Sequence, residues 1–217
     1  WFCSDNGGLK NISPTTVGSL KGNKNTMWEG GLRVPAIIEW PETINPGITK
    51  YPVSTMDIFP TLLEIVGLYP SNKYSNLDGK SITNLFEANK QKRTLKIPFR
   101  FDNRGALIDN NIKLVVHDIK KLDFELYDLS KDPSESIDIS KSNPQIFELM
   151  KNEFLIWNNS VENEVNKMEI NHPQHWVIIE KYINYFEDWI KRPEYSKWIA
   201  RALKKEGPGY QNLGPLK

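Results

Sequence analysis

The sequence predicts an α/β fold that ends in a small antiparallel sheet and a helical extension. Three observations lead to this prediction. Short apolar runs alternate with loops and one helical pattern in residues 1–90, closely spaced strand patterns follow in residues 91–165, and an aromatic stripe at helical spacing lies in residues 166–217. A chain of 217 residues with 39% hydrophobic side chains is long enough for one sizeable core and a smaller subdomain.

Charge and hydropathy argue against two classes of partner. The 28 basic and 27 acidic side chains give a net charge of +1, so no overall field favours nucleic acid. No apolar run approaches the roughly 20 residues that a membrane-spanning helix needs. We therefore expect a protein without a nucleic-acid partner and without a membrane span.

The first strand pattern stops at a pair of oxygen-bearing side chains. Residues 1–3 are apolar, and Ser4 then leads into Asp5 and Asn6, which two glycines follow. Because Asn-Gly is a common hairpin loop, one interpretation of this corner is a turn. Carboxylate and amide oxygens at a strand end, beside glycines that free the backbone, also suit a hard cation. Local sequence leaves both interpretations open.

A second strand and a helix are predicted in the rest of residues 1–90. Residues 34–40 form an apolar run closed by Pro41, which is typical of a buried strand. A helix is expected near Ser54, because apolar residues recur there at helical spacing and Gly67 offers a C-cap. Pro60 falls near its first turn, where a missing N–H costs least. The apolar helical positions are Met56, Phe59, Leu62, Leu63 and Val66.

Residues 91–165 are predicted to form strands followed by a helix. Residues 106–108 and 113–117 flank a polar spacer, a pattern that predicts a hairpin. Residues 124–129 alternate apolar and acidic side chains, as expected for a half-buried strand. A helix is predicted after Asn143-Pro144, and its apolar stripe should cover one face of the sheet. The stripe consists of Phe147, Met150, Phe154, Trp157 and Val161.

Residues 166–217 are predicted to form a helical extension and an irregular tail. The aromatic stripe there consists of Ile179, Tyr182, Ile183, Phe186, Trp189 and Ile190. Such a stripe suits either a membrane surface or a protein core, but Glu180, Glu187 and Asp188 weaken attraction to anionic lipid. We therefore predict that it packs onto the body of the protein.

Residues with a chemical role concentrate in residues 1–90, and after the Asp5-Asn6 pair the next such segment is residues 21–35. Lys24 lies there between small polar residues, and an aromatic residue, Glu29 and two glycines follow before an apolar run. A lysine on such a loop, near a hard cation, suits a substrate that carries an anionic oxyacid group. This segment therefore favours the interpretation of Asp5 and Asn6 as metal ligands.

Several motifs follow one another in an informative order. They are Ser4–Gly7, Lys24–Pro35, Ile37–Pro41, Asp57–Thr61, Leu77–Gly79, Glu125–Leu129 and Asp132-Pro133. Their succession resembles the C-terminal portion of the sulfatase family, within the alkaline-phosphatase superfamily. Sulfatases typically carry a strand ending in Ser-Asp-Asn-Gly, then Lys-x-Thr-x-aromatic-Glu-Gly-Gly-x-Arg-x-Pro, then Ile-x-x-Trp-Pro. Any one motif is weak, whereas the ordered series is hard to produce by accident.

The resemblance implies a fold, a reaction and a location. The fold would be the C-terminal part of a sulfatase-like α/β sandwich, with a small antiparallel-sheet subdomain packed by a helix and then a helical extension. The reaction would be hydrolysis of a sulfate ester on a carbohydrate or aryl compound. Family resemblance favours an exported protein, whether secreted, periplasmic or lysosomal. Nothing in the sequence predicts the oligomeric state.

The resemblance also implies roles for individual residues. Asp5 and Asn6 would be two oxygen ligands of a divalent cation, usually Ca²⁺ in this family, and Lys24 would contact the sulfate group and stabilise its negative charge. Thr26, Glu29 and Arg33 match the motif and are expected to hold the loop in shape. The polar cluster at residues 102–104 is predicted to be a simple loop, although this region can border the substrate pocket in sulfatases.

One part of the family pattern does not occur in this chain. Sulfatases use a formylglycine nucleophile made from the Cys or Ser of a Cys/Ser-x-Pro-x-Arg motif. Cys3 is followed by Ser4 and Asp5, and Ser142-Asn143-Pro144 lacks the arginine. We therefore expect the formylglycine and the remaining metal ligands in an N-terminal part, and we expect the 217 residues alone to be inactive.

Two other functions remain open at this point. A phosphate or phosphonate ester hydrolase of the same superfamily is one, because an Asp-containing metal corner also suits phosphoryl transfer. The second is a noncatalytic sulfatase-like module that binds sulfated glycans. A Cys/Ser-x-Pro-x-Arg motif in the complete protein would favour the enzyme over the binding module.

Overall fold

The structure is a computed structural model that describes residues 1–9, 16–68, 77–86 and 92–167. The chain divides into two compact units, Trp1–Ser160 and Val161–Lys217. Within the second unit, the described residues are the C-terminal end of one helix. The predicted helical extension, with its stripe between Ile179 and Ile190, lies outside the described residues.

Four antiparallel strands form the larger sheet, in the order β3-β4-β5-β6. They are β3 (Ile97–Phe101), β4 (Arg104–Asp109), β5 (Ile112–Asp118) and β6 (Asp123–Asp128). The predicted hairpin is confirmed, because β4 pairs with β5 across a turn where Asn110 has a φ of 54°, a conformation that Asn tolerates. The strand predicted at residues 124–129 is confirmed as β6, whereas β3 was not predicted.

Helix α3 (Pro144–Lys167) covers one face of this sheet, as the sequence predicts. Met150 and Phe154 of its apolar stripe are 1% and 0% exposed. They pack against strand side chains that share one face, because alternate residues of a strand point the same way. These strand residues are Leu107, Leu114, Val116, Phe124 and Leu126. No helix in the described part of the chain is long and apolar enough to cross a membrane.

The opposite face of the sheet is covered by the segment that carries Lys24. The side chains that meet there are Met27, Trp28 and Leu32 from the segment and Phe99, Ala106, Val115 and Tyr127 from the strands. The sheet therefore lies between α3 and the Lys24 segment, and it forms the base on which that segment is held.

Strand β1 (Phe2–Cys3) pairs antiparallel with β2 (Ala36–Ile37) in a second, two-stranded sheet. Strand β2 is shorter than the strand predicted at residues 34–40, and the prediction that it is buried is wrong, since Ile37 is 62% exposed. An apolar run reports the hydrophobicity of a strand, but burial also requires a neighbouring element to cover it. Nothing in the described part of the chain covers Ile37.

The helix predicted near Ser54 is confirmed. A 3-10 turn (Thr55–Asp57) leads into α2 (Ile58–Ile65), and Ser54 and Asp57 form a reciprocal capping box at the start. Gly67 follows the helix with a φ of 70°, the left-handed conformation that glycine adopts without a steric penalty. The local signals in the sequence therefore define both ends of this helix.

The apolar stripe of α2 is not packed in the way that its sequence suggests. Phe59, Leu62 and Val66 are 48%, 49% and 63% exposed, whereas Pro60 and Thr61 on another side of the helix are buried. The stripe therefore remains an exposed apolar surface of this chain.

A buried ion pair connects α2 to the residues that precede β3. Arg93 donates to both carboxylate oxygens of Asp57 at 2.7 and 2.8 Å, and the Asp57 side chain is fully buried. The backbone N–H groups of Ser54 and Lys80 donate to the same carboxylate. Because charge-assisted, bidentate bonds satisfy the buried carboxylate, the motifs at residues 57–61 and 77–79 have a structural role here.

Candidate functional site

The predicted metal corner directly follows β1. Neither Asn6 nor Gly7 has the positive φ that a two-residue Asn-Gly hairpin needs, and β1 pairs with β2. The hairpin interpretation of this corner is therefore wrong. Asp5 is exposed and Asn6 is half-buried, and neither side chain contacts a polar group of any residue that the structure describes. Their oxygens are available to a ligand.

Lys24 occupies one of the two central positions of a tight turn. The N–H and the hydroxyl of Thr26 both donate to the Asn23 carbonyl, at 3.0 and 2.7 Å. Asn25 has a φ of 72° whereas Lys24 keeps a negative φ, which is the pattern of a type II turn. Thr26 thus holds the loop in shape, as expected, and the exposed Lys24 side chain has no polar partner among the described residues.

Backbone hydrogen bonds join this turn to the metal corner. The Lys24 N–H donates to the Gly8 carbonyl at 2.8 Å, and the Gly7 N–H donates to the Gly31 carbonyl at 3.0 Å. At Gly7 a Cβ atom would lie 2.0 Å from the Gly30 carbonyl oxygen, so this approach requires glycine. The two segments that carry the predicted site residues are therefore in direct contact.

An open depression of about 580 Å³ lies at the corner. Asp5, Asn6 and Arg33 line it, whereas Lys24 does not. The Arg33 side chain is exposed and has no polar partner among the described residues, so its expected role in holding the loop stays a prediction. Arg33 thus brings a positive charge to the lining of this depression.

The donor groups at the corner fit a hard cation, but they are too few to bind one alone. Ca²⁺ takes roughly 6–8 oxygen ligands, and Asp5 and Asn6 supply one carboxylate and one amide oxygen. Within residues 1–9, 16–68, 77–86 and 92–167, no three His, Cys, Asp or Glu side chains are grouped closely enough to hold a metal ion. The corner therefore suits part of a metal site.

Glu29 connects the loop to the sheet through a buried ionic cluster, which we call the ionic triad: Glu29, Lys113 and Glu135. Lys113 Nζ lies 2.8 Å from Glu29 Oε1 and 2.8 Å from Glu135 Oε1. All three side chains are at most 7% exposed. Glu29 begins the short helix α1 (Glu29–Leu32), so its expected role in holding the loop agrees with the geometry.

Glu135 holds the loop at both ends. Its Oε2 accepts a hydrogen bond from the Glu29 N–H at 2.6 Å, and its backbone carbonyl accepts one from Lys21 Nζ at 3.0 Å. Burial raises the pKa of Glu135, and the attraction of Lys113 and the hydrogen bond from Glu29 counter this effect only in part. The negative charge of Glu29 adds a smaller effect in the same direction as burial, and it also raises the pKa of Glu135.

Aromatic side chains surround the first residue of the loop. Lys21 Nζ lies 3.5 Å from the centroid of the Trp28 ring, a cation–π contact. The His117 ring is tilted by 51° to the Trp28 ring, with the two ring centroids 5.0 Å apart. Its Nε2 lies 2.6 Å from a carboxylate oxygen of Glu125. Burial opposes ionisation of Glu125, but hydrogen bonds from His117 and a tyrosine hydroxyl outweigh it and lower the pKa of Glu125.

The β3–β4 hairpin also contacts the Lys24 turn. Arg104 Nη1 donates to the Asn25 carbonyl at 3.0 Å. Asp102 in the hairpin turn has a φ of 56° and is exposed. Asp102 and Asn103 therefore form a turn, as predicted, whereas Arg104 begins β4 and contacts the candidate site.

Two contributors to this arrangement, Lys113 and Glu135, were not predicted from the sequence, and Arg104 was predicted only as part of a polar loop. A signal existed for Lys113, because a lysine within the apolar run of a buried strand needs a charged partner. Glu135 lies in the turn after β6 with a φ of 52°, and neither its position nor its spacing indicates a contact with the loop. These contacts depend on the tertiary fold.

A match to a family model shows which protein family includes this chain. The family model described as N-sulphoglucosamine sulphohydrolase, C-terminal, matches residues 22–157, which is more than half of the chain. The chain belongs to the sulfatase family. The matched stretch includes the Lys24 turn, the ionic triad and the four-stranded sheet, and it begins after Asp5 and Asn6.

Individual sulfatases are similar to this chain over part of their length. A sulfatase of Formosa agariphila is 36% identical over 160 residues, which are 66% of this chain and 29% of that protein. Human steryl-sulfatase is 38% identical over 87 residues, which are 40% of this chain and 15% of that protein. The chain therefore spans less than a third of the length of these two relatives.

Solved structures of sulfatases agree with the fold. The crystal structure of Ps i-CgsB in complex with k-i-k-neocarrahexaose has a TM-score of 0.61 and 29% identity, covering 72% of this chain and 35% of that one. A sulfatase from the glycosaminoglycan locus of Bacteroides thetaiotaomicron has a TM-score of 0.63 and 23% identity, covering 73% and 38%. The described sheets and helices thus correspond to the C-terminal part of a sulfatase fold.

Proposed function

We propose that this chain is the C-terminal part of a sulfuric ester hydrolase that removes sulfate from a sulfated carbohydrate or a small aryl ester. One observation carries the proposal. The Lys24 turn and the Asp5–Gly8 corner are joined by a backbone hydrogen bond of 2.8 Å between Lys24 and Gly8. This contact between the segments supports the proposal that a cationic side chain and two oxygen ligands, all without polar partners among the described residues, act in one site.

Lys24 is proposed to bind the sulfate group. Its ammonium group is exposed, so it can meet a bound anion without first breaking an ion pair with another described residue. A fixed positive charge stabilises the negative charge that grows on the leaving oxygen when the sulfate ester bond breaks. The turn held by Thr26 limits the positions from which this charge can act.

Asp5 and Asn6 are proposed to supply part of the ligand set of a Ca²⁺ ion. When bound, the cation would supply a Lewis acid that polarises the sulfate oxygens. The free carboxylate and amide oxygens of these residues are the ligand types that Ca²⁺ prefers. Further ligands would come from protein outside these residues.

The nucleophile is proposed to be a formylglycine outside this sequence, since no Cys/Ser-x-Pro-x-Arg motif occurs in the 217 residues. On this proposal the 217 residues alone are inactive, and an exported location would suit the substrate. A carbohydrate substrate is supported by i-CgsB, which is 29% identical and has an oligosaccharide bound.

The proposal is tested by Lys24→Ala in the full-length protein that contains this chain. We expect turnover of an aryl sulfate to fall by about a hundredfold or more, since removing one donor to a developing oxyanion typically costs that much. The thermal unfolding midpoint should stay unchanged, because Lys24 is exposed and no polar contact within the described residues is lost.

Lys131→Ala is the matched control, because the Lys131 side chain is 83% exposed and lies beyond β6. It should retain full activity, since an exposed ion pair such as Lys131–Asp128 contributes little. Near-normal turnover by the Lys24 variant would contradict the proposal. Faster turnover of an aryl phosphate than of the aryl sulfate would favour a phosphate ester hydrolase, and glycan binding without turnover would favour a binding module.

A further inference from the structure

We infer that Arg104 is a positioning residue for Lys24, which it holds in place through the carbonyl of Asn25. The inference rests on the proposed function, because it assigns Arg104 to the same site. Arg104 is not part of the loop motif, and it lies 79 residues from Asn25 along the chain.

The turn that presents Lys24 depends on the conformation of Asn25. A type II turn requires a positive φ at its third residue, and Asn25 has a φ of 72°. For a residue other than glycine this conformation is less favourable than the helical or extended one, so a contact that holds it has an energetic effect. The Asn25 carbonyl accepts a hydrogen bond from Arg104 Nη1 at 3.0 Å, which is such a contact.

Arg104 is itself well placed to act as a fixed anchor. It is the first residue of β4 and pairs with Phe101 across the hairpin turn. Its guanidinium carbon lies 5.2 Å from the centroid of the Phe101 ring, within range of a cation–π contact. The strand fixes its backbone and the ring limits its side chain, so the donor reaches the turn from a rigid element.

Few other contacts hold this part of the loop. The Lys24 N–H donates to Gly8 on one side, and Thr26 closes the turn on the other. The ionic triad holds the loop through Glu29, which is several residues further along the chain. Among the described residues, the Arg104 contact is the one that reaches the turn from the sheet at the residue next to Lys24.

The experiment compares Arg104→Ala and Arg104→Lys in the full-length protein, alone and combined with Lys24→Ala. We expect Arg104→Ala to lower kcat for an aryl sulfate by about tenfold, the effect of one charge-assisted hydrogen bond, with little change in KM. Arg104→Lys should recover part of the loss, because a lysine at this position can still donate one hydrogen bond to the Asn25 carbonyl.

The double variant separates positioning from two other roles. If Arg104 acts through Lys24, Arg104→Ala should cause no further loss once Lys24 is alanine. A loss that multiplies in the double variant would overturn the inference, because it would indicate an independent role in substrate binding or stability. A raised KM with an unchanged kcat in Arg104→Ala would overturn it in favour of substrate contact.

The same set of variants distinguishes this inference from the proposed function. If Lys24→Ala has no effect, the proposed function fails and the inference fails with it. If Lys24→Ala abolishes turnover while Arg104→Ala behaves like the parent protein, only the inference fails. Lys131→Ala again serves as the control, because Lys131 is an exposed lysine that contacts Asp128 after β6.

Discussion

At the scale of single residues, the ionic triad determines how firmly the Lys24 loop is attached to the sheet. Two buried carboxylates, Glu29 and Glu135, share the ammonium group of Lys113. Removing the shared cation leaves both carboxylates buried without a partner, whereas removing one carboxylate leaves a balanced pair. The three residues therefore differ in what their loss should cost.

We expect Lys113→Met to lower the free energy of unfolding by about 3–5 kcal/mol, the usual cost of leaving buried charges unpaired. Glu135→Gln should leave it unchanged or raise it, because the amide can still accept the hydrogen bond from the Glu29 N–H. Thermal unfolding midpoints of the two variants in the full-length protein, at pH 7, provide the measurement. Equal losses in both variants would mean that Glu135 is needed for more than its charge.

The difference in the free energy of unfolding between Glu135→Gln and the parent protein should also depend on pH. Because burial raises the pKa of Glu135, the folded state holds its proton more tightly than the unfolded state, and ionisation above that pKa lowers stability. The stability of the glutamine variant relative to the parent protein should therefore be greatest at neutral pH and decrease as the pH falls toward 4.5, the ordinary value for a glutamate. Unfolding midpoints measured across this range test the sign.

At the scale of elements, the sequence predicted which helices and strands form better than it predicted which of their side chains are buried. Helix α3 was predicted with the correct packing face, because its stripe meets a sheet that lies shortly before it along the chain. Strand β2 and the stripe of α2 have the same apolar character, yet Ile37 is 62% and Val66 is 63% exposed. An apolar pattern shows which surface is able to be buried, and only a neighbouring element determines whether it is.

The packing of α3 gives a direct test at this scale. Phe154 is 0% exposed, and its ring contacts Phe124 and Trp157. Phe154→Ala should lower the free energy of unfolding by about 3–5 kcal/mol, through lost burial and the cavity that remains. Thermal unfolding of the full-length protein measures this effect.

Ile156→Ala, two residues further along the same helix, is the control, because Ile156 is 71% exposed. It should change the free energy of unfolding by less than about 0.5 kcal/mol. Similar losses in both variants would mean that the helix packs with another face toward the sheet.

At the scale of the whole molecule, the chain spans about a third of the solved sulfatases that it resembles. Two features of the structure agree with a chain that spans only part of its relatives' length. The corner at Asp5 supplies fewer ligands than Ca²⁺ requires, and apolar side chains such as Phe2, Ile37 and Phe59 are 66%, 62% and 48% exposed. Both the proposed metal site and this apolar surface are therefore suited to contact with further protein.

Metal dependence tests the proposed site at this scale. Removing Ca²⁺ from the full-length protein with a chelator should abolish aryl sulfate turnover, and added Ca²⁺ should restore it. Asp5→Ala should weaken Ca²⁺ binding by about tenfold or more, since it removes the charged ligand of the corner. Titration calorimetry measures the affinity without depending on activity.

Asp78→Ala is the control, because Asp78 is also exposed and has no polar partner among the described residues. It should bind Ca²⁺ as the parent protein does. If Asp5→Ala also binds Ca²⁺ normally, the assignment of Asp5 as a metal ligand is wrong, whatever happens to Lys24.

The sequence by itself determined most of the elements other than β3, the family and the candidates Asp5, Asn6 and Lys24, because residue types and short spacings carry that information. The tertiary structure decided how these candidates are held. The contacts of Arg104 with Asn25, of Lys113 with Glu29 and of Glu29 with Glu135 join residues that are 79, 84 and 106 positions apart. No local pattern encodes such distances, because they depend on how the sheet folds back against the loop.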